Sequence, residues 1–202
     1  MPTSPAATPT DVELVRRASG GDREAFAAIY ERHRMMVYRF ARLMTGSDAT
    51  ADDVTQEVFM TLIRTLSSYE PQRSALVTYL YGVARNVTRN RLRRDRRFVA
   101  LDRVADAPCS SADNPHAAAE RAQERGQLRR AILSLPSRYR EAVILSDVQG
   151  LAYVETARVL HIPVGTVRSR LSRGRQLIMM YMKGAEAPGR PPQVPRVERC
   201  VV

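Results

Sequence analysis

Tryptophan is missing from this chain, and phenylalanine and tyrosine together supply only 12 residues (4 Phe, 8 Tyr). That scarcity argues against an aromatic-rich β-sandwich and favours small helical units. There are two cysteines, Cys109 and Cys200, far apart in polar, loop-like sequence. Their spacing excludes a disulfide framework and a CxxC site and points to a reducing compartment, the cytoplasm. No apolar run is long enough to span a bilayer. Residues 1–10 have neither the basic start nor the apolar centre of a signal peptide. The end, Cys200-Val201-Val202, is one residue short of a prenylation box. His33, His116 and His161 are scattered without ligand spacing, and no glycine-rich phosphate loop occurs. No metal, cofactor or catalytic constellation is therefore expected.

Charge is plentiful, and it is unevenly placed. The net charge is +11, which implies an anionic partner, either nucleic acid or an acidic membrane surface. Residues 161–183 contain no Asp or Glu, and residues 44–63 contain no Lys or Arg.

Periodicity predicts an all-α protein of two small helical domains joined by a flexible linker, the second with a helix-turn-helix. Seven of the 12 prolines lie near the ends, so residues 1–10 and 184–202 are expected to be tails without fixed structure. The first domain is read as 11–97. A short helix ends at Gly20-Gly21, and Asp22 caps the next one. There Phe26, Ile29, Tyr30, Val37, Phe40, Ala41 and Met44 form the buried stripe, and Gly46 stops the helix. A third helix is predicted from Thr50, with Asp53 as capping-box partner and Val54, Val58, Leu62 and Leu66 inward. Residues 69–74 read as a loop, followed by a fourth helix from about Ala75. Residues 98–113 read as the linker. The second domain, 114–183, begins at Asn114-Pro115 and breaks at Pro136.

The helix-turn-helix occupies 153–175. Ala157 is small where two helices cross, Leu160 and Ile162 bracket a sharp turn, and Pro163 starts the second helix. His161 stands at the turn, where a left-handed conformation is required; histidine is among the residues that tolerate it. On the second helix Val167, Leu171, Gly174 and Ile178 share one face. Ser169, Ser172 and Gln176 lie opposite, flanked by Arg168 and Arg173. A stripe of short hydroxyls and arginines with no acid suits the major groove, where arginine pairs with guanine and serine approaches any base edge.

Two further stretches carry chemistry. Between Arg85 and Arg97 there are seven arginines and one acid, preceded by Tyr79, Tyr81 and Asn86. Tyrosines beside a cationic helix can stack unpaired bases while arginines hold phosphates. For Tyr81 a core position is the better reading. In the third helix Asp53, Gln56, Glu57 and Met60 lie away from the apolar stripe. That acidic face reads either as favourable charge near a helix N-terminus or as a docking face for a basic protein.

Together these stretches resemble a sigma factor of the extracytoplasmic function type. DDVTQEVF at 52–59 resembles the family's core-polymerase-binding helix. YLYGVARN at 79–86 resembles its promoter-melting and −10-reading helix. Residues 135–175, with GTVRSRL at 165–171, resemble its −35-reading domain. The resemblance implies a non-enzymatic subunit that binds core RNA polymerase and promoter DNA, and it implies an anti-sigma factor. It assigns Asp53, Gln56, Glu57 and Phe59 to polymerase binding. It assigns Tyr69, Tyr79, Asn86, Arg89 and Arg93 to the −10 element and melting, and Arg168, Ser169, Ser172 and Arg173 to the −35 element. Thr50, Tyr79 and His161 stand where the family often has Asp, Trp and Gly, and Ser172 is small where relatives can be bulky. A dimeric helix-turn-helix regulator is the competing reading. It leaves the acidic helix unexplained.

Overall fold

Side-chain caps within three residues set the starts of the first three helices. The structure, a computed structural model, describes residues 9–98 and 115–184. Helix α1, Asp11–Ser19, begins where Thr10 Oγ1 accepts from the Glu13 amide at 3.3 Å. Helix α2, Arg23–Thr45, is capped by Asp22, whose Oδ1 accepts from the Glu24 and Ala25 amides at 3.0 Å. Those amides and Arg17 hold the Asp22 carboxyl below its ordinary range. Gly46, at φ 81°, closes α2 in a left-handed turn.

Helix α3 departs from the sequence expectation. It spans Asp48–Thr65, and its cap is Ser47, whose Oγ accepts from the Thr50 amide at 3.2 Å. Thr50 is inside the helix, and Asp53 has no capping duty. Ser47→Ala should therefore lower stability by about 1 kcal/mol, while Thr50→Ala should leave the cap in place; thermal melts of the two variants check this. A 3₁₀ turn, Leu66–Ser68, ends α3, and α4 runs Leu76–Phe98. After the undescribed stretch come α5, Pro115–Ser134, and α6, Ser137–Val143, which continues into a π turn at Ile144–Val148. Helix α7 is Tyr153–Leu160 and α8 is Val164–Met182. Both predicted tails (except for residues 9, 10 and 184), the linker beyond Phe98, Asn114, Cys109 and Cys200 lie outside the described residues.

Helices α2, α3 and α4 pack on one another, with α1 against α2. Ile29, Val37, Phe40, Ala41 and Met44 are buried, as are Val54, Val58, Leu62 and Leu66. Phe26 and Tyr30 are only partly covered. In the second half α8 packs on α5, α6 and α7, closing over Val143, Ile144, Leu145, Leu160, Val167 and Leu171.

The two halves are not independent beads. Helix α4 packs on α7, and α2 packs on α5 and α6. Tyr81 is 1% exposed, in agreement with the core reading, and its hydroxyl donates to Gln149 Oε1 at 3.0 Å. Burial pushes its phenol well above the ordinary value. At the end of α2, Arg140 donates to the Met44 carbonyl at 2.7 Å and Arg129 to the Gly46 carbonyl at 3.0 Å. Two guanidinium groups thus satisfy carbonyls at the negative end of a helix.

Candidate nucleic-acid interface

The turn between α7 and α8 takes the form the sequence requires. His161 sits at φ 54°, ψ 49°, the one non-glycine residue with positive φ among the described residues. It lets the chain reverse so that the Ile162 amide reaches back to the Ala157 carbonyl at 3.1 Å. Pro163, in extended backbone, precedes α8, and its carbonyl accepts from the Thr166 and Val167 amides at 2.9 and 3.1 Å.

Helix α8 then divides as its periodicity dictates. Val167, Leu171 and Gly174 are buried, and Arg168, Ser169, Ser172 and Arg173 are all exposed. Ser169 Oγ donates to the Thr166 carbonyl at 3.0 Å, and Arg173 Nη1 to Gln176 Oε1 at 3.3 Å. Arg175 is pulled aside instead: its Nε and Nη2 donate to Asp147 at 2.9 and 2.6 Å. That bidentate pair raises the Arg175 pKa further and takes the residue off the acid-free face.

On the first domain the five predicted residues fall into two groups: Tyr69 meets Tyr79, which shares a cavity with Asn86, while Arg89 and Arg93 of α4 line a separate cleft with Glu141 and Arg138. The loop 69–74 is stapled by the Tyr69 hydroxyl, which donates to the Ser74 carbonyl at 2.7 Å. Tyr69 and Tyr79 meet edge to face at 5.3 Å, and the Tyr79 hydroxyl is hydrogen-bonded to Thr65 Oγ1 at 2.6 Å. Tyr79 is thus fixed in orientation and half-buried rather than free to swing. Burial raises the Tyr69 phenol pKa. Asn86 and Arg93 are exposed. A cavity of about 470 Å³ lies beside Tyr79 and Asn86. Arg73, Ser74, Thr78, Tyr79 and Asn86 form one wall, and Arg158, Val159 and His161 of the second domain the other.

On the acidic face, Asp53, Gln56, Glu57 and Met60 are exposed together. Phe59 is not on it. The residue is 3% exposed and meets Tyr30 edge to face at 4.8 Å, so it supports the face from beneath instead of presenting a ring to a partner. The acids are also not free. Arg91 of α4 bonds to Asp53 and lies 3.9 Å from Glu57. Sequence reasoning missed the adjoining apolar groove, lined by Phe26, Tyr30, Phe59, Met60 and Ile63. Met60 and Ile63 are 48% and 51% exposed. The available signal was two large apolar residues off the Val54–Val58–Leu62 stripe.

Among the described residues no His, Cys, Asp and Glu cluster could hold a metal ion. Among them no helix is long and apolar enough to cross a membrane.

Residues 29–98 match the family Sigma-70 region 2, and residues 125–178 match Sigma-70, region 4. The two matches, in this order along one all-helical chain, define a sigma factor, a non-enzymatic subunit that directs RNA polymerase in transcription initiation. The ECF RNA polymerase sigma-E factor of Escherichia coli K12 is 34% identical over 84% of this chain and 92% of its own length. SigW of Bacillus subtilis is 29% identical over 84% and 95%. SigE of Mycolicibacterium smegmatis is 32% identical over 80% of this chain but only 64% of its own length. The chain belongs to the extracytoplasmic function (ECF) group of sigma factors. The fold is shared with CnrH, solved with the cytosolic domain of CnrY, at 23% identity and TM-score 0.63, covering 86% of this chain and 97% of that one. It is shared also with RpoE of Bartonella quintana, solved with the anti-sigma factor NepR, at 23% identity and TM-score 0.64, covering 78% and 96%.

Proposed function

We propose that three faces of this chain divide the work of initiation. Asp53, Gln56 and Glu57 contact core RNA polymerase, with Phe59 packed beneath them and the Met60–Ile63 groove beside them. Tyr69, Tyr79 and Asn86 shape the site for unpaired −10 bases, and Arg89 and Arg93 hold phosphates. Arg168, Ser169, Ser172 and Arg173 read the −35 element in the major groove. The boundaries proposed for the two domains are residues 11–97 and 114–183. The observation that carries this reading is the acid-free, fully exposed row on α8, set on the same molecule as an exposed acidic face of α3. A duplex-binding regulator needs the first and has no use for the second.

The chain acts in the cytoplasm, where polymerase and promoter are found, and an anti-sigma factor holds it silent. The solved complexes of the relatives with CnrY and NepR support that partner. The test is run-off transcription with core polymerase and a promoter library; folded protein that stimulates no template would refute the reading. Replacing Gln56 and Glu57 together by alanine should weaken core-polymerase binding by about tenfold or more, of the order of 1.4 kcal/mol. The same change should leave −35 duplex binding by the full chain unaltered, as fluorescence anisotropy with both partners would record.

A further inference from the structure

Five arginines from three helices, far apart in sequence, line one cleft. Arg85, Arg89 and Arg93 come from successive turns of α4, Arg138 from α6 and Arg170 from α8. The cleft measures about 310 Å³, and its one acid is Glu141. That acid is already engaged. Its side chain is 5% exposed, its Oε2 accepts from Arg85 Nε at 3.0 Å, and Arg89 lies 3.9 Å from the other oxygen. Five guanidinium groups against one carboxylate leave the cleft with a net charge of +4. Arg93 and Arg170 form no ion pair or hydrogen bond among the described residues. Arg138 is held by a ring instead of an acid: it lies 4.7 Å from the Tyr139 ring centroid and donates to that hydroxyl at 2.9 Å. Met44 and Leu92 supply an apolar part of the wall. Low-dielectric walls focus the field of charges of one sign.

We infer that this cleft is a binding site for a compact, multivalent phosphate anion: two or more linked phosphoryl groups, as in a short polyphosphate or the phosphate tail of a nucleotide. Three observations select that class. Guanidinium forks match phosphate oxygens in pairs, and Arg89, Arg93, Arg138 and Arg170 present four of them. A net charge of +4 exceeds what one carboxylate or one monophosphate can neutralise. The volume is that of a small-ligand site and is too small for a double helix. Like charges packed this closely repel one another; an anion seated among them turns each repulsion into an attraction. The site is separate from the cavity that Tyr79, Asn86 and His161 line. It goes beyond the division of labour proposed above. It shares Arg89 and Arg93 with that reading, while Arg138 and Arg170 belong to this site alone. A ligand there touches α4, α6 and α8 together.

The experiment titrates the full chain with tripolyphosphate by isothermal calorimetry, at fixed ionic strength and without added divalent cations. One saturable site is expected, about tenfold or more tighter than for orthophosphate. Arg138→Gln combined with Arg170→Gln should weaken tripolyphosphate binding by about tenfold or more. Arg138→Lys with Arg170→Lys keeps the charge but loses the forks, and should fall between that pair and the wild type. The control is Arg16→Gln with Arg125→Gln, which removes the same charge at exposed positions outside the cleft. It should change affinity by less than about twofold. ATP distinguishes the two sources. Binding as tight as tripolyphosphate supports a nucleotide, and weaker binding supports an inorganic chain. Hydrogen exchange with tripolyphosphate present should protect amides of 85–93 and 137–141 together. The site is overturned by an absence of saturable binding, or by wild-type affinity in a glutamine pair of unchanged helicity. Equal losses in the glutamine pair and the control would do the same, as would protection confined to α4. A single-stranded pentanucleotide that binds as tightly as tripolyphosphate would also overturn it, by making the cleft a stretch of nucleic-acid track.

Discussion

With Arg168 and Arg173 each replaced by alanine, the holoenzyme should lose about 1–3 kcal/mol per residue at particular −35 base pairs. That is about five- to 150-fold. Both side chains stand exposed at the flanks of the Ser169–Ser172–Gln176 face of α8, with no acid from 161 to 183 to compete for them. They differ in freedom. Arg173 is held toward Gln176 at 3.3 Å, so it would enter a groove partly oriented, whereas Arg168 has no such support among the described residues. The measurement is competition binding on promoters changed one base pair at a time. A loss confined to some positions identifies base contact. An equal loss on every sequence, with a salt slope lowered by about one unit, reassigns the residue to phosphate.

Gly174→Ala should destabilise the second domain, although alanine is the better helix former. A β-carbon at Gly174 would lie 2.7 Å from Val143 Cγ2, with the Tyr139 β-carbon and carbonyl at 3.6 and 3.7 Å. Val143 is 2% exposed, and its branched side chain has little room to turn. Overpacking of this kind costs about 1–3 kcal/mol. The gain in helix propensity returns at most ~1 kcal/mol. The net loss should appear as a fall of several degrees in Tm by calorimetry. Combining it with Val143→Ala should cost less than the two changes summed, because the second removes the atom the first strikes. An additive double variant, or a more stable Gly174→Ala, would mean that α6 and α8 can part freely.

The recognition helix was legible because one helix face and one turn are local facts. The 3.6-residue period places Val167 and Leu171 against the core, and with them fixes Ser169 and Ser172 opposite and Arg168 and Arg173 at the flanks. The left-handed turn at His161 follows from its position between Leu160 and Pro163. Helix α3 was less legible at its start because two hydroxyls three residues apart, Ser47 and Thr50, could each cap it. The backbone chose the first, which lengthens the helix to Asp48. Phe59 was assigned to the docking face by likeness of motif. Its place about 60° round the helix from Leu62 already put it at the flank of the buried stripe. Tyr79 shows a different limit: its ring can be foreseen near the −10 site, but the Thr65 hydroxyl that fixes it lies 14 residues away. The seam between the halves was not legible. Arg85 and Glu141 are 56 positions apart, and periodicity says that a side chain is buried without saying by what.

The caps of α1, α2 and α3 have a consequence for how the chain comes off the ribosome. Thr10, Asp22 and Ser47 each act on amides no more than three residues ahead. Those helix starts are therefore specified as soon as the next turn is synthesised, and local contacts of this sort close quickly. Domains form as units in the order they are made. The bundle of α1 to α4 can be complete while α6 is still being translated. A chain at that stage has Arg85 of α4 without Glu141 of α6, whose Oε2 accepts from the Arg85 Nε at 3.0 Å in the finished fold.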